Sequence, residues 1–179
     1  WQWGGNLVVH ELHQEINGEL AVKIPQSVAQ AFTKKTDLTF RSGSGDYQVN
    51  NGILSLSAKG TFCAAVAGLL PGLCRIKTSV VFEKGTKEFG IMFRTSEDLE
   101  NSYYLRIEQT NTKIVIDMLP RERAEVSQMV ELERPLHLSS GTPVRMQVII
   151  EDNKGVVYVN DTIAMNFRAY DLPAGNWGF

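Results

Sequence analysis

The feature that most limits what this chain can become is a period-two alternation of apolar and polar residues, cut at short intervals by turn residues. Ile53-Leu54-Ser55-Leu56-Ser57 is a clear instance, with Leu54 and Leu56 on one side and the serines on the other. Alternation of this kind suits a half-buried strand, because successive side chains leave a strand on opposite faces. Asn17-Gly18, Asn50-Asn51-Gly52 and Asp152-Asn153-Lys154-Gly155 supply the left-handed residues of tight hairpin turns. Strand-like stretches cover 6–12, 20–24, 38–41, 47–49, 53–57, 61–70, 73–83 and 89–95. They resume over 102–109, 113–118, 126–132, 144–151, 156–160 and 162–167, with a loop expected at 42–46. One helix is expected, a short one over 28–32 capped by Ser27 after Pro25.

About a dozen strands with short turns and no alternating helices argue for an all-β fold. The expected form is a two-sheet antiparallel β-sandwich, jelly-roll or concanavalin-like, with one short helix. Residues 1–25 read as a junction strand and hairpin that could strap onto a neighbouring domain, and 26–179 as the sandwich. The first residues, Trp1-Gln2-Trp3-Gly4-Gly5, read as those of a fragment or processed chain, and Trp177-Gly178-Phe179 as a truncated strand.

Charge and cysteine content narrow the function. Eighteen Lys and Arg stand against 20 Asp and Glu, and a net charge of -2 lacks the broad basic field of a nucleic-acid or anionic-membrane binder. The longest apolar stretch, 63–74, is too short to span a bilayer and contains Pro71. Two cysteines exclude a four-cysteine zinc site and a disulfide-stapled scaffold. Cys63 and Cys74 are expected to be free, buried thiols, since a tight hairpin at Pro71-Gly72 would set Cys63 opposite Val80. Free thiols lean slightly towards a cytoplasmic setting over a secreted one.

The candidate chemistry is thin. His10-Glu11-Leu12-His13 has two histidines three apart on a strand, which point to opposite faces and suit no single metal ion. No metal and no cofactor are expected. Asn160-Asp161-Thr162 matches a glycosylation pattern at chance frequency. Glu97, Asp98, Glu100, Asp117, Glu151, Asp152, Asp161 and Asp171 are plentiful carboxylates, but no spacing singles out a glycosidase pair. Aromatic faces with polar rims are what sugar rings need. Tyr103 and Tyr104 are adjacent, so one faces in and one out, and with Arg106 they form the candidate ligand site. Trp1, Trp3, Leu7 and Val9 are the candidate interdomain contacts, and Trp177 is a further aromatic near a chain end.

Three runs carry a resemblance. They are Val148-Ile149-Ile150-Glu151-Asp152, Gly155-Val156-Val157-Tyr158-Val159-Asn160-Asp161 and Arg168-Ala169-Tyr170. Together they resemble the late hairpin of the C-terminal β-sandwich in glycoside hydrolase family 32, the invertase, levanase and inulinase-type β-fructosidases. Tyr103-Tyr104-Leu105-Arg106-Ile107 is similar to an earlier strand of that module. Gly5 to Leu12, with Asn17-Gly18 and the stretch to Pro25, is similar to the junction where the chain leaves the catalytic propeller. The resemblance implies a two-domain enzyme acting on sucrose or fructans through an Asp nucleophile and a Glu acid/base on a five-bladed propeller. The family's Asn-Asp-Pro, Arg-Asp-Pro and Glu-Cys motifs are absent here, so no catalytic residue carries over. The family has a further strand where this chain stops, which would leave an open sheet edge.

The first expectation is a non-catalytic accessory sandwich that packs on a propeller domain of the same polypeptide. The second is a stand-alone lectin-like module that binds oligosaccharide. The third is an oligomerisation or surface-adhesion module with no ligand, and a homodimer is among the expected partners.

Overall fold

The computed structural model describes residues 8–60, 62–117, 132–169, 172 and 174–179. The N-terminal hairpin pairs β1 (Glu11–Gln14) with β2 (Leu20–Lys23), and Asn17-Gly18 lies in its turn as expected. Helix α1 (Gln26–Ala31) starts earlier than the sequence suggested. Pro25, not Ser27, takes the cap position, with no side-chain cap; its carbonyl accepts from the Ala29 N–H at 3.0 Å. Proline suits a helix start because its fixed φ is already near helical and it has no N–H to leave unpaired.

β3 (Arg41–Ser44) falls where a loop was expected, while residues 38–40 lie outside any strand. β4 (Asp46–Asn50) and β5 (Ile53–Ser57) close a separate hairpin around Asn51-Gly52. β6 (Ala64–Leu69) and β7 (Leu73–Val80) follow. The Pro71-Gly72 link is not a hairpin: β6 pairs with β3, and β7 belongs to another sheet. Cys63 therefore does not face Val80. Both thiols are free and only half-buried.

β8 (Glu88–Thr95), β9 (Tyr103–Glu108) and β10 (Lys113–Asp117) form a meander, and β11 (Leu132–Pro135) pairs back on β10. The strand expected at 126–132 lies outside the described residues except for Leu132, where β11 begins. β12 (Val144–Glu151), β13 (Lys154–Val159) and β14 (Ile163–Arg168) form a second meander. β15 (Asn176–Gly178) ends the described chain.

Two main sheets result. The larger runs β11-β10-β9-β8-β15-β6-β3 and the smaller β14-β13-β12-β7, with every pairing antiparallel. β15 is therefore no truncated edge: it sits inside the larger sheet and pairs on both sides, with β8 and β6. The core lies between the sheets. Ile91, Phe93, Tyr103, Leu105, Ile107 and Ile114 meet Met146, Val148, Val157, Val159, Met165 and Phe167. Phe93 stacks on Phe167 at 5.7 Å between ring centroids. Gly155 makes room for that ring, since a Cβ there would lie 2.1 Å from Phe167. Trp177 is buried in the same core.

The N-terminal hairpin packs on the outer face of the smaller sheet. His10 Nδ1 is 3.0 Å from the Tyr158 hydroxyl, with the two rings edge to face. Beyond it, Arg75 donates to the carbonyl of Ala29 and to Gln147 Oε1, tying α1 to β7 and β12. The hairpin's amphipathic order is inverted. Ala21 is buried and Glu11, His13 and Lys23 are half-buried, while Leu12, Leu20 and the turn residue Ile16 are exposed.

Candidate functional site

The site lies on the outer face of the larger sheet. Period two that sends Tyr103, Leu105 and Ile107 into the core sends Tyr104, Arg106 and Glu108 out. Cross-strand register fixes their neighbours. Val115 and Gly90 flank Arg106; Asp117 and Met92 flank Tyr104; Lys113 and Glu88 flank Glu108. Gly90 is compelled by the backbone, because a Cβ there would lie 1.8 Å from the Leu105 carbonyl oxygen. Its lack of a side chain also leaves the space beside Arg106 open.

Arg106 is the hub. Its Nε donates to Asp117 Oδ2 at 2.6 Å and its Nη2 pairs with the same oxygen. Nη1 reaches Glu108 Oε1 at 3.0 Å and Glu88 Oε2 at 3.2 Å. Burial alone would pull the guanidinium pKa down. The adjacent Asp117, Glu88 and Glu108 outweigh that and hold it above its ordinary value. The Arg106 side chain is 22% exposed and that of Asp117 is wholly buried. Glu88 is 55% exposed, so it keeps lone pairs towards solvent. Asn111 Nδ2 donates to Glu108 Oε2 at 2.6 Å, and Lys113 Nζ bridges to Glu133 at 2.7 Å.

An apolar patch adjoins the charges. Ala64, Val66 and Met92 form a small second core with Leu99 and Tyr104. Exposed Phe62 meets the Tyr104 ring edge to face at 6.4 Å. Burial, with Asp117 and Glu100 nearby, pushes the Tyr104 phenol above its usual range. A guanidinium hub, solvent-facing carboxylates and an aromatic edge can hold a hydroxyl-rich ring by hydrogen bonds and apolar contact.

Of the residues expected to bind ligand, Tyr104 and Arg106 share this face. Tyr103 does not: it is 1% exposed and packs between the sheets. Val9 is exposed, whereas Trp1, Trp3 and Leu7 lie outside the described residues. Asp117, Glu88, Glu108 and Phe62 were not singled out as site residues from sequence. The signal for two of them was present, because 104, 106 and 108 alternate against 113, 115 and 117 across a short turn. His10 and His13 are apart, His10 on Tyr158 and His13 on Glu15 at 3.0 Å. Asn160 sits in the β13–β14 turn, where its Oδ1 accepts from the Arg145 N–H at 2.9 Å.

No family model matches the chain, and no curated protein sequence matches it. Likeness appears in solved structures. A carbohydrate-binding module, CBM66, from Bacillus subtilis superposes with a TM-score of 0.63 at 10% identity. The match covers 78% of this chain and 84% of that one. Exo-inulinase from Aspergillus awamori superposes with a TM-score of 0.57 at 12% identity. There the match covers 94% of this chain but only 31% of the enzyme. At these identities what is shared is the fold, a β-sandwich.

Proposed function

We propose that this chain is a carbohydrate-binding β-sandwich that serves as an accessory domain to a sucrose- or fructan-cleaving glycoside hydrolase, and that sugar binds around Arg106. The observation that carries the reading is the outer-face cluster itself, on a fold like that of a carbohydrate-binding module. Arg106 holds the carboxylates in place, Glu88 and Glu133 supply acceptors, and Tyr104 with Phe62 supplies an aromatic edge. Among the described residues, four carboxylates stand against Arg106 and Lys113 in the patch. A neutral sugar suits such a patch; a uronate would be repelled. The accessory role draws support from the inverted hairpin, whose exposed Leu12, Ile16 and Leu20 continue from Val9 and suit burial against a neighbouring domain.

The stand-alone module is the second reading, favoured by the match to 84% of a module that is itself a carbohydrate-binding unit. Calorimetric titration with kestose, sucrose and polygalacturonate tests the site common to both readings. Binding of a neutral fructoside, lost in Tyr104→Ala and Glu88→Gln, is expected. Absence of heat with every neutral sugar at millimolar concentration would remove the proposal.

A further inference from the structure

Two Asn-Gly pairs close hairpins, and the structure treats them differently. At the β1–β2 turn the Asn17 carboxamide is held at both ends. Its Nδ2 donates to Glu19 Oε2 at 2.9 Å and its Oδ1 accepts from the Glu19 N–H at 3.0 Å. The Gly18 N–H is also engaged, donating to the Glu15 carbonyl at 2.9 Å, and the Gly18 carbonyl accepts from Gln14. At the β4–β5 turn Asn51 and Gly52 are both exposed, with φ of 50° and 76°. Neither the Asn51 carboxamide nor the Gly52 N–H has a hydrogen-bond partner among the described residues.

From this contrast we infer that Asn51 is a site of spontaneous covalent modification by deamidation, and that Asn17 is protected from the same reaction. The chemistry needs only water. The Gly52 amide nitrogen, on losing its proton, attacks Asn51 Cγ. An N–Cγ bond forms and the Cγ–Nδ2 bond breaks, with ammonia leaving and carrying the proton. Water then opens the cyclic imide at either carbonyl, giving aspartate or isoaspartate. Glycine as the following residue leaves the attacking nitrogen unshielded, since it has no Cβ.

The outcome changes the hairpin. Either product adds a negative charge at the tip. Isoaspartate also lengthens the main chain by one atom between Asn50 and Ile53, which are paired across the turn. The apolar row Tyr47, Val49, Leu54 and Leu56 depends on that register. This hairpin is a two-stranded sheet of its own, so the ladder has little else to hold it.

The test is peptide mapping by mass spectrometry after timed incubation of the whole chain in mildly alkaline bicarbonate. A synthetic peptide of residues 46–57 reports the unrestrained rate. The Asn51 fragment is expected to gain about one dalton, with Asn17 converting at least about fivefold more slowly, the factor that loss of one hydrogen bond's net contribution implies. Glu19→Ala should raise the Asn17 rate at least about threefold, by releasing its Nδ2 while the residue-19 N–H still holds Oδ1, and leave Asn51 unchanged. The inference is overturned if Asn17 converts as fast as Asn51 in the unaltered chain. It is equally overturned if Asn51 stays intact after the peptide has fully converted, or if Glu19→Ala leaves Asn17 unmoved.

Discussion

Replacing Arg106 by methionine removes the hub of the outer-face cluster while keeping much of its aliphatic volume. What remains is Asp117, whose side chain is wholly buried and which loses the two contacts to its Oδ2. Breaking a fully buried ion pair costs ~3–5 kcal/mol, mostly as the penalty of the orphaned charge. Arg106 is partly exposed, and Glu88, its third partner, is more than half exposed, so the surface arm adds little. The expected loss is therefore ~3 kcal/mol, near the low end of that range. With a urea m-value of ~2 kcal/mol/M, the denaturation midpoint should fall by ~1.5 M. The double variant Arg106→Met/Asp117→Asn removes the buried charge that has lost its guanidinium and should recover most of the loss, ending within ~1 kcal/mol of the unaltered chain. Urea melts followed by far-UV circular dichroism check both. A double variant as unstable as the single one would refute the buried-charge argument, because the loss would then lie in packing.

Gly155→Ala should cost ~1–3 kcal/mol, since the new methyl meets the Phe167 ring and must displace it from Phe93; an unchanged melting temperature would contradict this. Burial pushes the Cys74 thiol up to about 11, leaving about a hundredfold less thiolate at neutral pH than an ordinary cysteine. Iodoacetamide should therefore alkylate Cys74 far more slowly in the native chain than in urea, and equal rates would refute the burial. The sign of the linked pH effect follows from the raised value. The unfolded chain releases this proton first, so the contribution is intact below the ordinary thiol range and is lost as pH rises towards 11.

Local signals were legible in the sequence, and distant pairings were not. Asn17-Gly18, Asn51-Gly52 and the turn at Asp152 each announced a hairpin that the structure contains. Alternation implied that one of Tyr103 and Tyr104 faces in and one out without saying which, and the structure buries Tyr103. The alternating pattern carries no information about which sheet a strand joins, so Pro71-Gly72 looked like a hairpin when it is a crossing between sheets. Ser42, Gly43 and Ser44 looked like a loop by composition, yet pairing with β6 makes them an edge strand with an irregular register. In the site, Arg106 stood out within its own strand. Glu88 lies across a connection of different character, and its place beside Glu108 depends on the β8–β9 register.

The position of β15 has a consequence for synthesis on the ribosome. Residues 41–44 and 64–69 form one flank of the larger sheet, and 88–95 onward forms the other. Among the described residues, the strand at 176–178 pairs with both. Until that segment leaves the exit tunnel, the nascent chain carries two partial sheets, each with an open edge on β6 or β8. Bare edges of that kind invite wrong partners. Closure brings residue 178 to residues 66 and 92, a long-range step that sets a slow last event in folding. A chain stalled just short of Asn176 should therefore depend on chaperones far more than one in which that segment has paired.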